Sequence, residues 1–481
     1  MNGIGRDITP TPYTIPMRAL PLLGSILALS AAFGADLRDS APPAGWTAEA
    51  TRAEIRPKFA YAARGGRDGA GAFVIETDAR DGLDGFWKRS FRVEGGKYYS
   101  FNAYRKVAGV EWPQQCAVVT VQWVDAAGQR VIDDRKQVER YLTRYNPLAP
   151  LEYPVEGIPA QDGWTRLSGT WQAPSNATQA VVELHGRWAA NGRMEWSDVQ
   201  LTAAEPPSPR IVRLATVHYR PQAGKTAEEK RTQFAPLIAE AARRKADLVV
   251  LPETLTYYGT GLNPVDVAEP VPGPSTDYFA GLAKQHNLYI VAGLFEKSAY
   301  KVYNVAVLLT PEGKLGGVYR KVTLPDSEAS AGVVPGSAYP IFQTRFGALG
   351  IMICYDGFFP EVARELTKRG AEVIAWPVWG CNPELARARA AENQVYLVSS
   401  TYEDVSSNWM LSAVWDHAGQ TIALAKDWGS VAVAEVDLNA TTRWRSLGDF
   451  RSKIQHHVPM TPAAHDWRPD APETLPANDT P

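Results

Sequence analysis

The chain has 481 residues, 45% of them hydrophobic, with 50 basic side chains against 52 acidic ones, enough apolar material for two or three domains with their own cores. The near-balance of charge leaves no basic footprint for nucleic acid and no Lys/Arg block for an anionic membrane surface. Three cysteines, Cys116, Cys354 and Cys381, are too few for a disulfide framework and leave at least one free thiol.

At the amino end, Met17-Arg18 precedes an apolar, small-residue run from Ala19 to Phe33, and Ala32-Phe33-Gly34 fits a cleavage site. Residues 1–35 are therefore expected to be a signal peptide or leader, which would put the mature protein in the periplasm or outside the cell. A retained membrane anchor is the alternative, although the run is short for a bilayer span.

Residues 45–204 change to short alternating stretches separated by Gly, Asp and Asn turns, among them Ala72–Thr77, Phe86–Val93, Tyr98–Tyr104, Ala117–Val124 and Met194–Leu201. This rhythm predicts an all-β, jelly-roll-like sandwich. The region is rich in tryptophan, Trp87, Trp123, Trp171 and Trp188 included, and its closing pattern RMEWSDVQL is similar to the last strand of jelly-roll carbohydrate-binding modules. Such rings can stack on a sugar or fill a core, so glycan contact and a structural role both stand. The segment 140–163 is expected to be a long loop over one face, and EPPSPR (205–210) a stiff linker.

From 211 to 440 the pattern becomes α/β. Ile211–Val217 predicts a strand, Ala227–Arg244 an amphipathic helix, Ala246–Leu251 a buried strand, and the alternation continues through helix Ser275–His286 and strands Leu288–Leu294, Asn304–Leu309 and Val318–Val322. The apolar run Leu349–Ile353, a helix pattern and a second run Glu372–Trp376 form a strand–helix–strand unit with Cys354 at the carboxyl end of its first strand. Open α/β sheets bind their ligands at that edge. Glu253, after ADLVVLP, and Lys321, in GGVYRKVTLP, occupy the same kind of position. The tail 441–481 is charged and Pro-rich and is expected to form a carboxyl-terminal arm.

LPE, YRKVTLP and GIMICYDGFFPE, followed by GAEVIAWP and RARAAENQVYLVSS, resemble in this order the signatures of the nitrilase (carbon–nitrogen hydrolase) superfamily, in its amidase-like branch. The resemblance implies a four-layer α–β–β–α sandwich and a homo-oligomer, commonly a dimer. It also implies a Glu–Lys–Cys triad on Glu253, Lys321 and Cys354, and a second glutamate between the lysine and the cysteine. Glu328, in LPDSEASAGVVPG, is the natural match, with Asp326 of the same stretch and Glu312 as the alternatives.

The chemistry suits the residue types. A thiol needs a neighbouring base to become a nucleophile, so Glu253 would take the proton of Cys354 and hand it to the departing nitrogen. Lys321 and the backbone N–H of Tyr355 would hold the oxyanion. The expected activity is hydrolysis of non-peptide carbon–nitrogen bonds in linear amides or carbamoyl amides. A nitrilase, or a glycan-binding protein with an inactive hydrolase domain, are the alternatives. No cofactor or metal is expected, because the seven histidines form no HExxH pattern and no Cys pair has zinc-site spacing. A Cys–His pair using His417 or His218 would leave LPE and YRK unexplained. Tyr257, Trp376, Trp379 and Asn382 are the candidates for substrate contact, with Tyr258 beside them, and Cys381 reads as a bystander.

Overall fold

The computed structural model describes residues 41–136, 147–407, 409–445 and 447–460; the expected leader lies outside them. The strands of the amino-terminal region are Thr47–Glu49 (β1), Lys58–Ala62 (β2), Ala72–Glu76 (β3), Asp84–Arg92 (β4), Tyr98–Ala108 (β5), Ala117–Val124 (β6), Val155–Glu156 (β7), Thr165–Gln172 (β8), Gln179–Arg187 (β9) and Arg193–Ala204 (β10). They form two antiparallel sheets, ordered β1-β4-β9-β6 and β2-β3-β10-β5-β8-β7. One apolar core draws on both: Val119, Val121 and Trp123 of β6 meet Phe101 and Ala103 of β5 and Met194 and Trp196 of β10, each set at the period of two that points alternate side chains the same way. Trp46, Trp87 and Trp171 are in this core too, whereas Trp188 is 43% exposed.

The segment read as a loop is not all loop. Glu152 bridges to Val121 of β6, and Val155–Glu156 pairs with β8. Its first residues lie outside the described ones.

Six strands make each sheet of the second region. The first, ordered β15-β14-β13-β12-β11-β22, contains Ile211–His218 (β11), Leu248–Val250 (β12), Tyr289–Ser298 (β13), Lys301–Leu309 (β14), Leu315–Arg320 (β15) and Ser430–Asp437 (β22). The second runs in chain order through Ile341–Gln343 (β16), Ala348–Ile351 (β17), Val373–Pro377 (β18), Tyr396–Ser400 (β19), Ser412–Trp415 (β20) and Thr421–Ala425 (β21). Alternation along the strands reveals the layers. Leu248 and Val250 face the second sheet while Val249 and Leu251 face helices Ala235–Arg243 and Pro274–His286. On the second sheet, Val373 and Ala375 face the first while Ile374 and Trp376 face helices Pro360–Lys368 and Pro383–Asn393. Helix, sheet, sheet and helix thus stack as a four-layer α/β sandwich, whose central strands Leu248–Val250, Val373–Pro377 and Tyr396–Ser400 are buried on both faces.

The expected helix 227–244 is two helices, Ala227–Thr232 and Ala235–Arg243. Pro236 stands in the first turn of the second, where its missing N–H costs nothing; inside one continuous helix it would remove a bond and clash with the preceding turn.

The carboxyl-terminal arm contributes helix Phe450–His457, which touches both halves of the molecule. Gln115 Nε2 donates to Gln455 O at 2.8 Å and His456 Nδ1 lies 2.7 Å from Gln114 O, while Arg451 Nη2 donates to Ala371 O at 3.0 Å and Gln455 Nε2 to Lys368 O at 3.2 Å.

Candidate active site

Three strand exits converge on one cavity. Beyond β17 the chain enters a 3-10 turn, Cys354–Phe358, and Cys354 itself takes φ 38°, a left-handed conformation that costs a non-glycine residue energy and persists only where the surroundings enforce it. The enforcing group is Asp356. Its buried carboxylate accepts from Ile353 N (2.9 Å), Thr323 N (3.0 Å), Thr323 Oγ1 (2.6 Å) and Tyr319 Oη (2.7 Å), tying the cysteine turn to the segment that carries Lys321. Trp376 Nε1 donates to Cys354 O at 3.2 Å. Gly357 is required here by close approach, since a Cβ would stand 1.9 Å from the Trp376 ring.

Glu253 follows β12 and is 2% exposed. Gly293 lets β13 pass close behind it; a Cβ there would come within 2.5 Å of Glu253 Cα. Its Oε1 accepts from Lys321 Nζ (2.9 Å) and Asn304 Nδ2 (2.8 Å), its Oε2 from Trp379 N (2.8 Å), and its backbone oxygen from Tyr402 Oη (2.5 Å). Lys321, just past β15, also donates to Glu328 Oε1 at 2.5 Å, and Asn304 Nδ2 reaches Glu328 Oε2 at 3.0 Å. One ammonium is therefore clamped between two carboxylates, with an asparagine bridging the same two.

The electrostatics follow from this packing. Burial alone would lower the Lys321 ammonium, but the carboxylates of Glu253 and Glu328 outweigh it and hold the amine protonated. Burial raises the Cys354 thiol, and Glu253 raises it further, while Lys321 and backbone hydrogen bonds at Gly380 and Trp379 pull it down. The resting thiol is protonated, and Sγ donates to Gly380 O at 3.5 Å. Glu328 is raised by burial and then by Glu253, against the opposing pull of Lys321 and Asn304.

Glu253, Glu328 and Cys354 line a cavity of about 420 Å³ together with Tyr257, Phe295 and Trp379. Of the residues expected to contact substrate, Tyr257 and Trp379 are in that wall, and Tyr258 packs behind, its ring 5.2 Å from that of Trp379. The Tyr355 ring packs on Phe358 and Phe359, and its amide, the group expected to meet the oxyanion, lies in the first turn of the 3-10 segment. Two expectations need correction. Trp376 is fully buried, because the parity of β18 turns it to the helix side of the sheet. Asn382 is exposed and caps helix Pro383–Asn393 by accepting from Glu384 N at 2.8 Å. Neither Asp326 nor Glu312 lines the cavity, and neither does His218 or His417. Sequence reasoning passed over Asn304 and Tyr402, of which only the buried polar Asn304 inside an apolar run offered a signal.

Residues 213–446 match the carbon–nitrogen hydrolase family profile. The omega-amidase NIT2 of Xenopus tropicalis is 30% identical over 257 residues, which is 48% of this chain and 91% of that protein. A nitrilase of Pyrococcus abyssi is 36% identical over 200 residues, 40% of this chain and 74% of that one. Among solved structures, Saccharomyces cerevisiae Nit3, a member of branch 10 of the nitrilase superfamily, aligns with TM-score 0.42 and 25% identity over 49% of this chain and 93% of that one. The chain belongs to the carbon–nitrogen hydrolase family, within the nitrilase superfamily, and is a hydrolase. The two amino-terminal sheets lie outside the matched residues.

Proposed function

We propose that the protein hydrolyses a linear amide or carbamoyl amide through a thioester on Cys354. The observation that carries this reading is the cavity wall shared by the Cys354 thiol and the Glu253 carboxylate, with Lys321 locked beside them. Glu253 takes the Sγ proton as sulfur attacks the carbonyl carbon. The Lys321 ammonium and the Tyr355 N–H hold the oxyanion, each such donor being worth about 10²–10³ in rate. Collapse breaks the carbon–nitrogen bond, and the proton on Glu253 goes to the leaving nitrogen, which departs as ammonia or an amine. A water molecule then gives a proton to Glu253 and attacks the thioester; the acid leaves, and the proton returns to sulfur. Glu328 orients Lys321.

The test is intact-protein mass spectrometry on quenched mixtures with an amide panel. An acyl adduct should appear on the native chain, form far more slowly in Glu253→Gln, which lacks the base for the attack, and be absent from Cys354→Ala. Equal turnover by Cys354→Ala would sink the proposal. The Pyrococcus relative named a nitrilase favours a second reading, so each amide is paired with its nitrile; faster release of acid and ammonia from the nitriles would select it.

The strand orders of the amino-terminal sheets support reading them as a jelly-roll-like module, which we take to position the hydrolase rather than to bind sugar. Retardation in a polysaccharide gel that is lost in Trp188→Ala would reverse that choice. Export and a homodimer remain part of the proposal, to be checked by cell fractionation and by light scattering.

A further inference from the structure

We infer that the amide this cavity accepts has a short, uncharged, apolar acyl group, and that a carboxylate on the acyl chain is selected against; this rests on the amide-hydrolase reading above. Among the described residues, the charged side chains in the cavity wall are Glu253 and Glu328, both acidic. The neighbouring cation serves the reacting carbon, where it holds the oxyanion, and is not in the wall that an acyl chain would meet. The Lys321 side chain is fully buried, and its Nζ is held by both carboxylates. Two acidic side chains flank the one ammonium, and no guanidinium fork opens into the cavity.

The nearby arginines are committed elsewhere. Arg320, beside Lys321 in sequence, puts Nε and Nη2 on the two Glu296 oxygens at 2.7 Å each and lies 4.2 Å from the centre of the Tyr303 ring. Arg220 donates to Tyr402 O and covers the Trp428 ring. All four oxygens of Glu253 and Glu328 already accept hydrogen bonds. The remaining wall carries no charge: Tyr257 and Phe295, which meet edge to face at 5.3 Å, stand with Trp379, Pro264, Pro325 and Ala331 as its apolar and aromatic part, and Thr254, Asn263, Asn304 and Ser327 are its neutral polar groups. An anionic tail entering this space would lose its water, find no cation in the wall beyond the one at the reacting carbon, and meet two acidic side chains. An alkyl or small aromatic acyl chain would meet matching surface in a volume towards the small end of the ligand-site range.

The experiment measures kcat/KM on matched pairs of two to six carbons, in which a methyl-ended amide is compared with the mono-amide of the dicarboxylic acid of equal length, for example pentanamide with glutaric mono-amide. The methyl-ended member should win by about 10²-fold or more. Ser327→Arg, on the exposed lip of the cavity, should narrow that gap about 10-fold by supplying the missing cation. Equal rates, a preference for the carboxylate, or a gap unchanged in folded Ser327→Arg would overturn the inference while leaving the hydrolase reading intact. Absence of any acyl mass on Cys354 with every pair overturns the hydrolase reading itself, and this one with it.

Discussion

Asn304 donates to Glu253 Oε1 at 2.8 Å across 51 positions of sequence, and the same nitrogen reaches Glu328 Oε2 at 3.0 Å. The asparagine therefore fixes the spacing of the two carboxylates that grip Lys321. Asn304→Ala should lower kcat by about 10²-fold, the scale of a misplaced reacting group, with KM little changed. Because the Asn304 bond helps hold the Glu328 carboxyl down, its loss should also move the acidic limb of the kcat profile to higher pH. A purely structural role would lower the melting temperature and leave that limb where it is.

Lys321→Met leaves Glu253 and Glu328 facing each other in a buried site with no cation. Breaking such a group by removing one partner costs about 3–5 kcal/mol. The Lys321 amine is held above its ordinary value, so in the native chain its contribution is complete at neutral pH and is lost only in strong alkali. In the variant the penalty comes from ionised carboxylates, so it should be largest near pH 7 and shrink as acid protonates them. Urea unfolding of both proteins at pH 7.5 and 5 reads the difference; a penalty independent of pH would point to lost packing instead.

Much of this site is legible in the sequence because Glu253, Lys321 and Cys354 each stand where an apolar run stops and a loop begins. The period of two along Leu248–Val250 and Val373–Pro377 is also enough to require a layer on each face. What stays hidden depends on parity and on backbone groups. Trp376 and Trp379 look alike in WPVWGCN, yet strand geometry buries the first among helices while the second leaves the strand and enters the wall. The donor to Glu253 Oε2 is the amide of Trp379, which no side-chain pattern announces. Tyr402 reaches the Glu253 carbonyl from 149 positions away, a contact that exists only once both sheets have formed. The break ahead of Pro236 was visible, but the apolar spacing of 227–244 overrides it when periodicity is read alone.

The helix Phe450–His457 couples the hydrolase layers to the amino-terminal sheets, and Arg451 is its anchor on the hydrolase side. Besides donating to Ala371 O, its guanidinium reaches Gln394 O at 3.5 Å. Arg451→Ala would leave those acceptors without their donor at a cost of about 1–3 kcal/mol and loosen the strut. Calorimetry should then show the amino-terminal sheets and the hydrolase region melting as two transitions where the native chain gives one, with kcat little affected. A single shifted transition would mean that the remaining contacts, Gln455 to Lys368 among them, carry the coupling alone.

Acid should destabilise the protein through histidines that lie away from the reacting cluster. Burial lowers His417 to about 3 and His218 to about 4 from an ordinary value of 6.5. His417 sits 4.2 Å from the Tyr396 ring, with Nε2 buried and unpartnered. Below pH 6.5 the unfolded chain takes up protons that the folded chain refuses, so stability falls with falling pH until the folded imidazoles themselves titrate. Each group contributes a slope of up to about 1.4 kcal/mol per pH unit in that window. Carboxylates add their own acid dependence, and a variant separates the two. His417→Phe keeps a ring against Tyr396 and removes the titration, so its urea midpoint should match the native one near pH 7.5 and exceed it increasingly towards pH 4.5. Parallel curves for the two proteins over that range would show that His417 protonates as readily folded as unfolded, and that burial is not what holds it neutral.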